Sequence, residues 1–140
     1  GHRLFNYKTV LSIIQKNPLT GTGTGSFETE ACHLNATPEE CKLFGWHPHN
    51  QYLFFLVENG LLGGLLFVAL IASLFYAAKS RSTPDKCLLL GFTTMLAADS
   101  LVNSPLFSSR ESHFFVLMMA LLVAGPVIEQ PNEQPPQHTP

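Results

Sequence analysis

The sequence predicts an all-α integral membrane protein, with three transmembrane helices preceded by a polar segment that lies outside the membrane. Three observations carry this. Apolar and polar residues fall in separate blocks rather than alternating at helical or strand period, although the 140 residues are 46% hydrophobic and 13% charged. One block, Leu61 to Ala78, has 18 residues and no charge. As a helix it is about 27 Å long, close to the thickness of a hydrocarbon core. Finally, 140 residues are too few to wrap this helix and two apolar neighbours in protein, as a soluble fold would require.

The segment 1–60 comes first. Residues 3–17 (RLFNYKTVLSIIQKN) place Leu4, Tyr7, Leu11 and Ile14 at helical spacing beside Val10. This is an amphipathic helix that stops before Pro18. Arg3 stands at its start, where an arginine by itself reads as a solvated surface residue. The run PLTGTGTGSF follows, with Gly21, Gly23 and Gly25 alternating. A phosphate-cradling loop is one reading, but the Gly-Lys-Ser/Thr of a P-loop is absent, as are the flanking strand and helix of a dinucleotide site. A tight connection that needs positive φ angles fits better. Cys32 and Cys41 bracket a polar stretch. They can close a small disulfide loop on an oxidising face, or Cys32 and His33 can offer metal ligands, though no Cys-x-x-Cys spacing supports that.

The most informative stretch is WHPHNQYLFFLVENGLLGGLLF. His47 and His49 flank Pro48, and Asn50 can cap a helix running through Val57. Gly60 and Gly63 then let the chain turn into the first span. An imidazole placed there can take a proton from a sugar hydroxyl, and the helix N-terminus favours an anionic phosphate. A His-x-His pair can also bind a divalent metal, but two ligands on one short segment rarely suffice and no acid is near in sequence.

The first span is 61–78, the loop 79–86 follows, and the second span is 87–107. The third span, 114–128, is reached through the loop 108–113, and the tail 129–140 is rich in Pro and Gln and reads as disordered. The loop 79–86 carries Lys79, Arg81 and Lys86 against Asp85, whereas 108–113 carries Arg110. The positive-inside rule puts the first loop in the cytoplasm, hence residues 1–60 and the Arg110 loop outside and the tail inside. Cys87 is expected to be a free thiol. The chain does not begin with Met and has no signal peptide to lead its first sixty residues across, so further transmembrane helices are expected upstream. Asp99 and Asn103 are four residues apart and are expected to share a face of the second span, with Asp99 about 18 Å above Cys87. An acid at that depth pairs with another helix or lines a cavity.

These residues resemble the bacterial O-antigen ligases. His49-Asn50, nine residues, Gly60, two residues and Gly63 reproduce that family's His-(Asn/Ser/Gln), nine residues, Gly-x-x-Gly pattern. Gly64 stands where the family often has Thr or Val. Upstream, Arg3, the amphipathic helix, Asn17-Pro18-Leu19, the three glycines and Phe27 are similar to the family's run in the same order. The similarity covers about residues 3–78. Ser104-Pro105-Leu106 and Arg110-Glu111 are weaker echoes.

The resemblance implies the later part of a multi-span glycosyltransferase, with a periplasmic loop before its last helices in the bacterial inner membrane. It implies transfer of a glycan from undecaprenyl pyrophosphate to lipid A-core, with no metal, cofactor, nucleotide or nucleic acid. His49 would be the general base and Arg3 would hold the pyrophosphate, because a guanidinium makes forked contacts to phosphate. His47, Asn50, Asp99 and Arg110 complete the expected substrate-binding set. Two other readings remain at this point. One is an O-antigen polymerase or protein-glycosylating relative that uses the same donor. The other is a non-catalytic membrane module whose outer segment senses or binds a partner.

Overall fold

The computed structural model describes residues 2–34, 41, 48–107 and 109–125, with backbone alone for residues 2–6. Every regular element among them is helical. Helix α1 spans His2–Lys16 and α2 spans Phe27–Leu34. Helix α3 spans Gln51–Ala77 and passes into a short 3-10 turn, Ala78–Ser80. Helices α4 (Thr83–Asp99) and α5 (Ser109–Ala124) follow.

Helix α1 ends where Asn17-Pro18 disfavours helical geometry. Among the side chains described, Val10 and Ile13 are buried and Ile14 packs against them, while Leu11 of the expected stripe is 53% exposed. Val10 and Ile13 join Phe27 and Ala31 of α2 and Phe54 and Val57 of α3 in one small core. Two short helices thus pack on the first part of α3. Cys32 and Cys41 are disulfide-bonded, with Cα atoms 4.7 Å apart, which settles that pair in favour of the bridge.

Helix α3 is really two helices. Gly60 has φ 64° and ψ −160°, which breaks the helix there. The turn expected at Gly60 is therefore present, while Gly63 stays helical. The run Gln51–Ser80 is long and apolar enough to cross a membrane, and it alone is so among the described residues. Leu62 and Leu66 are 65% and 62% exposed, as a bilayer or further helices would require, whereas Phe67, Ile71 and Leu74 turn inward. They meet Leu89 and Leu96 of α4 and Phe115 and Met119 of α5 in a second core.

The other two expected spans differ in extent. The second apolar block, 87–107, is a helix only to Asp99, and it starts earlier, at Thr83, with Pro84 in its first turn. It stops because Ser100, Asn103 and Ser104 compete for backbone hydrogen bonds and Pro105 excludes helical geometry at the residue before it. Asp99 and Asn103 therefore do not share a helix face. One α-type turn keeps them together, since Asn103 N–H donates to the Asp99 carbonyl at 2.8 Å. Helix α5 begins at Ser109, five residues before the expected start. At 17 and 16 residues, α4 and α5 are about 24–26 Å long.

Arg81 is 9% exposed, and its guanidinium donates to the carbonyls of Val123 and Gly125. A cation there satisfies the open carbonyls at the C-terminus of α5. The α3–α4 loop and the end of α5 are thereby tied at one end of the helices.

Candidate functional site

The opposite end carries the residues expected to do chemistry. Pro48 is fully buried and His49 is exposed, with φ 51°. Among the described residues His49 is the one non-glycine with positive φ. This conformation costs roughly 1–3 kcal/mol and persists only where neighbours over-determine it. Here the neighbours are visible. Asn50 caps α3, its Oδ1 accepting from Leu53 N–H at 3.0 Å. The same amide donates through Nδ2 to the Leu101 carbonyl at 3.0 Å. Both ends of the Asn50 amide are thus committed to the backbone.

Gln51 is 1% exposed. Its N–H donates to the Ser100 carbonyl at 2.8 Å, and its Oε1 accepts from Leu106 N–H at 3.0 Å. The Tyr52 hydroxyl donates to the Ala97 carbonyl at 3.2 Å, and the rings of Phe54 and Phe107 meet edge-on at 5.2 Å. Three consecutive residues after His49 therefore grip the end of α4 and the connection that follows it. Asp99 immediately precedes Ser100, so the histidine turn and the acid lie on two segments bonded to each other.

Asp99 and Asn103 also line a cavity of about 370 Å³ with Met95, Arg110, Glu111, Phe114 and Phe115. The structure brings Asp99, Asn103 and Arg110 together as one wall with aromatic and polar faces. Arg3 sits in the first turn of α1, and His47 lies outside the described residues.

The glycine-rich run lays its backbone against helix α3. Gly21, Gly23 and Gly25 all have positive φ, as the extended-connection reading requires. The loop clasps α3 just where it breaks. Thr22 N–H donates to the Val57 carbonyl at 2.8 Å, Gly23 N–H to the Glu58 carbonyl at 2.9 Å, and Leu61 N–H to the Pro18 carbonyl at 2.9 Å. The Glu58 side chain, 5% exposed, accepts from the backbone N–H groups of Gly25 and Phe27. Glu58 precedes the break and the apolar stretch 61–78. Burial raises its carboxyl above the ordinary glutamate range, and the two N–H groups oppose that only in part.

Gln51 and Glu58 were not legible as site residues. Each is a single polar residue in an apolar neighbourhood, and only the fold shows what it bonds. The available hint was that a polar side chain near a break or a cap rarely goes unpartnered.

The described residues thus form a helical scaffold with one apolar helix of membrane length, and the histidine turn stands at the start of that helix. Residues 1–68 match the family model described as O-antigen ligase, so that segment is similar to the O-antigen ligase family. No curated protein and no solved structure matches the chain.

Proposed function

We propose that the chain carries part of the active site of an O-antigen ligase, which moves a glycan from undecaprenyl pyrophosphate to a sugar hydroxyl of lipid A-core in lipopolysaccharide biosynthesis. The observation that carries this is the His49 turn: an exposed imidazole held in left-handed geometry by bonds on its C-terminal side, within the family-matched segment.

In this reading the acceptor hydroxyl loses its proton to His49 as its oxygen attacks the anomeric carbon of the donor sugar. The bond from that carbon to the pyrophosphate oxygen breaks, and undecaprenyl pyrophosphate leaves. The pyrophosphate is already a good leaving group, so the step invokes no metal or cofactor. Arg3 holds the pyrophosphate by forked contacts, and His47 supports the donor. Asn50 serves the substrate through the cap it makes. Asp99 and Arg110 form the wall that receives the acceptor. An apolar groove of about 410 Å³, running from Asn59 past Leu62 and Leu66 to Leu70, suits the isoprenoid chain.

The protein then sits as a multi-pass protein in the bacterial inner membrane. Residues 1–60 and the connection between α4 and α5 face the periplasm, the α3–α4 loop and the tail 129–140 the cytoplasm, and α3 beyond Gly60, α4 and α5 mark the crossings. The Arg81 bonds support this alternation, because they place the 79–86 loop beside the end of α5 and away from Asn50.

The test is His49→Ala in the full-length protein. Loss of glycan transfer at unchanged protein level supports the enzyme over a non-catalytic module, and unimpaired transfer overturns His49 as the base. Unlinked polymer accumulating on the lipid carrier marks a lost ligase, whereas lipopolysaccharide capped with single units marks a lost polymerase. Asp99→Asn is expected to lower ligation, and unchanged ligation removes Asp99 from the site.

A further inference from the structure

We infer that Gln51 is a positioning residue: its buried amide holds the Pro48–Asn50 turn, and with it the His49 imidazole, in fixed register with the Ser100–Leu106 connection. This rests on the reading of His49 as the base.

A glutamine taken out of water at the mouth of an apolar helix is retained where its bonds are made. Gln51 makes them to a segment far away in sequence. Its backbone N–H reaches the Ser100 carbonyl and its Oε1 takes the Leu106 N–H. The two serine hydroxyls of the connection do not share in this tie. The hydroxyls of Ser100 and Ser104 are buried and have no hydrogen-bond partner among the described residues. Asn50 adds one bond, to the Leu101 carbonyl, while also serving as the helix cap.

The consequence falls on His49, which directly precedes this pair. Its positive φ leaves little slack, so a shift of the Asn50–Gln51 backbone is passed to the imidazole. A general base works only within hydrogen-bond reach of the proton it takes, and small misplacements are costly.

Two substitutions separate positioning from mere stability. Gln51→Met fills nearly the same volume and removes the acceptor. Gln51→Glu keeps an oxygen in the place of Oε1. Transfer is measured with the full-length protein in phospholipid vesicles, using an undecaprenyl-pyrophosphate-linked glycan as donor and lipid A-core as acceptor. Gln51→Met is expected to lower kcat about 10- to 100-fold. The KM for the donor is expected to stay within about twofold, because binding is not what the amide serves. Gln51→Glu is expected to recover most of the lost kcat.

A Gln51→Met protein with normal kcat overturns the inference, as does a Gln51→Glu protein no better than Gln51→Met. So does a loss that simply follows the amount of folded protein. Should Gln51→Met fail to accumulate, Gln51→Asn carries the test, since it keeps an amide but draws its oxygen back by one methylene from the Leu106 N–H. A lowered kcat at an unchanged donor KM then supports the inference, and unchanged kcat overturns it. Transfer that survives His49→Ala overturns the reading of His49 itself. Transfer lost in His49→Ala but intact in Gln51→Met overturns Gln51 alone.

Discussion

Gly21 and Gly60 stand backbone to backbone. A Cβ on Gly21 would overlap the Glu58 carbonyl and the Gly60 nitrogen, and a Cβ on Gly60 would overlap the Leu19 carbonyl and the Gly21 nitrogen. Both have positive φ, at 71° and 64°. The glycine-rich run and the glycine after the histidine motif, far apart in sequence, are two halves of one contact.

This pairing ranks the glycines. Gly23 and Gly25 also have positive φ, but a Cβ on either meets nothing within 4 Å. Alanine there is expected to cost about 1–2 kcal/mol, the strain of the left-handed region. Alanine at Gly21 or Gly60 adds a backbone overlap that cannot relax by side-chain movement, so its cost should be clearly larger. Thermal unfolding of the four variants in detergent gives the order, and equal losses at all four would contradict the contact.

Glu58 gives the clasp a pH dependence. Because burial raises its carboxyl, the folded chain keeps a proton that the unfolded chain has released, from about the ordinary value of 4.5 upward. The folded state then binds more protons than the unfolded one, so stability falls as pH rises through that window and levels off above the raised value. Glu58→Gln should flatten the slope. Unfolding measured between mildly acidic and neutral pH checks this, and an unchanged slope would assign it to another group.

The Cys32–Cys41 bridge closes a short loop, with a sequence separation of 9. Loop-closure entropy for that length predicts a loss of about 2.5 kcal/mol in Cys32→Ser. Peptide mapping without reductant should find residues 32 and 41 joined, and a chain isolated with three free thiols would show that the bridge does not form in cells.

Cys87 is a free and exposed thiol near the start of α4. With the proposed orientation it faces the cytoplasm. A membrane-impermeant maleimide added to spheroplasts should label a cysteine introduced at Ser26 but reach Cys87 only after permeabilisation. Labelling of Cys87 in intact spheroplasts would invert the topology.

Much of this was written in local pattern. The apolar run from Leu61, the stop before Pro18, the Asn50 cap and the turn at Gly60 follow from periodicity, proline and glycine chemistry, and all appear in the structure. What local pattern misjudged depended on partners. The face of α1 rotated because Val10 and Ile13, not Leu11, meet Phe54 and Val57. The second apolar block ended at Asp99 because polar residues there serve α3 instead of continuing a helix. Arg81 looked like a topogenic charge, yet it caps a helix that begins 28 residues later. His49 stood out by motif, whereas Gln51, which holds it, has no signature, since its role exists only once Leu106 arrives.

That last dependence sets an order of assembly. Gln51 and Leu106 are separated by 55 positions, with the long apolar helix and its return between them. At about 5–20 residues per second, synthesis delivers the second half of the clamp roughly three to eleven seconds after the first. During that interval the histidine turn has left the ribosome without its brace. A chain interrupted before residue 100 can still insert its long helix, but it presents an imidazole with no fixed place, so correct insertion is no guarantee of a competent site.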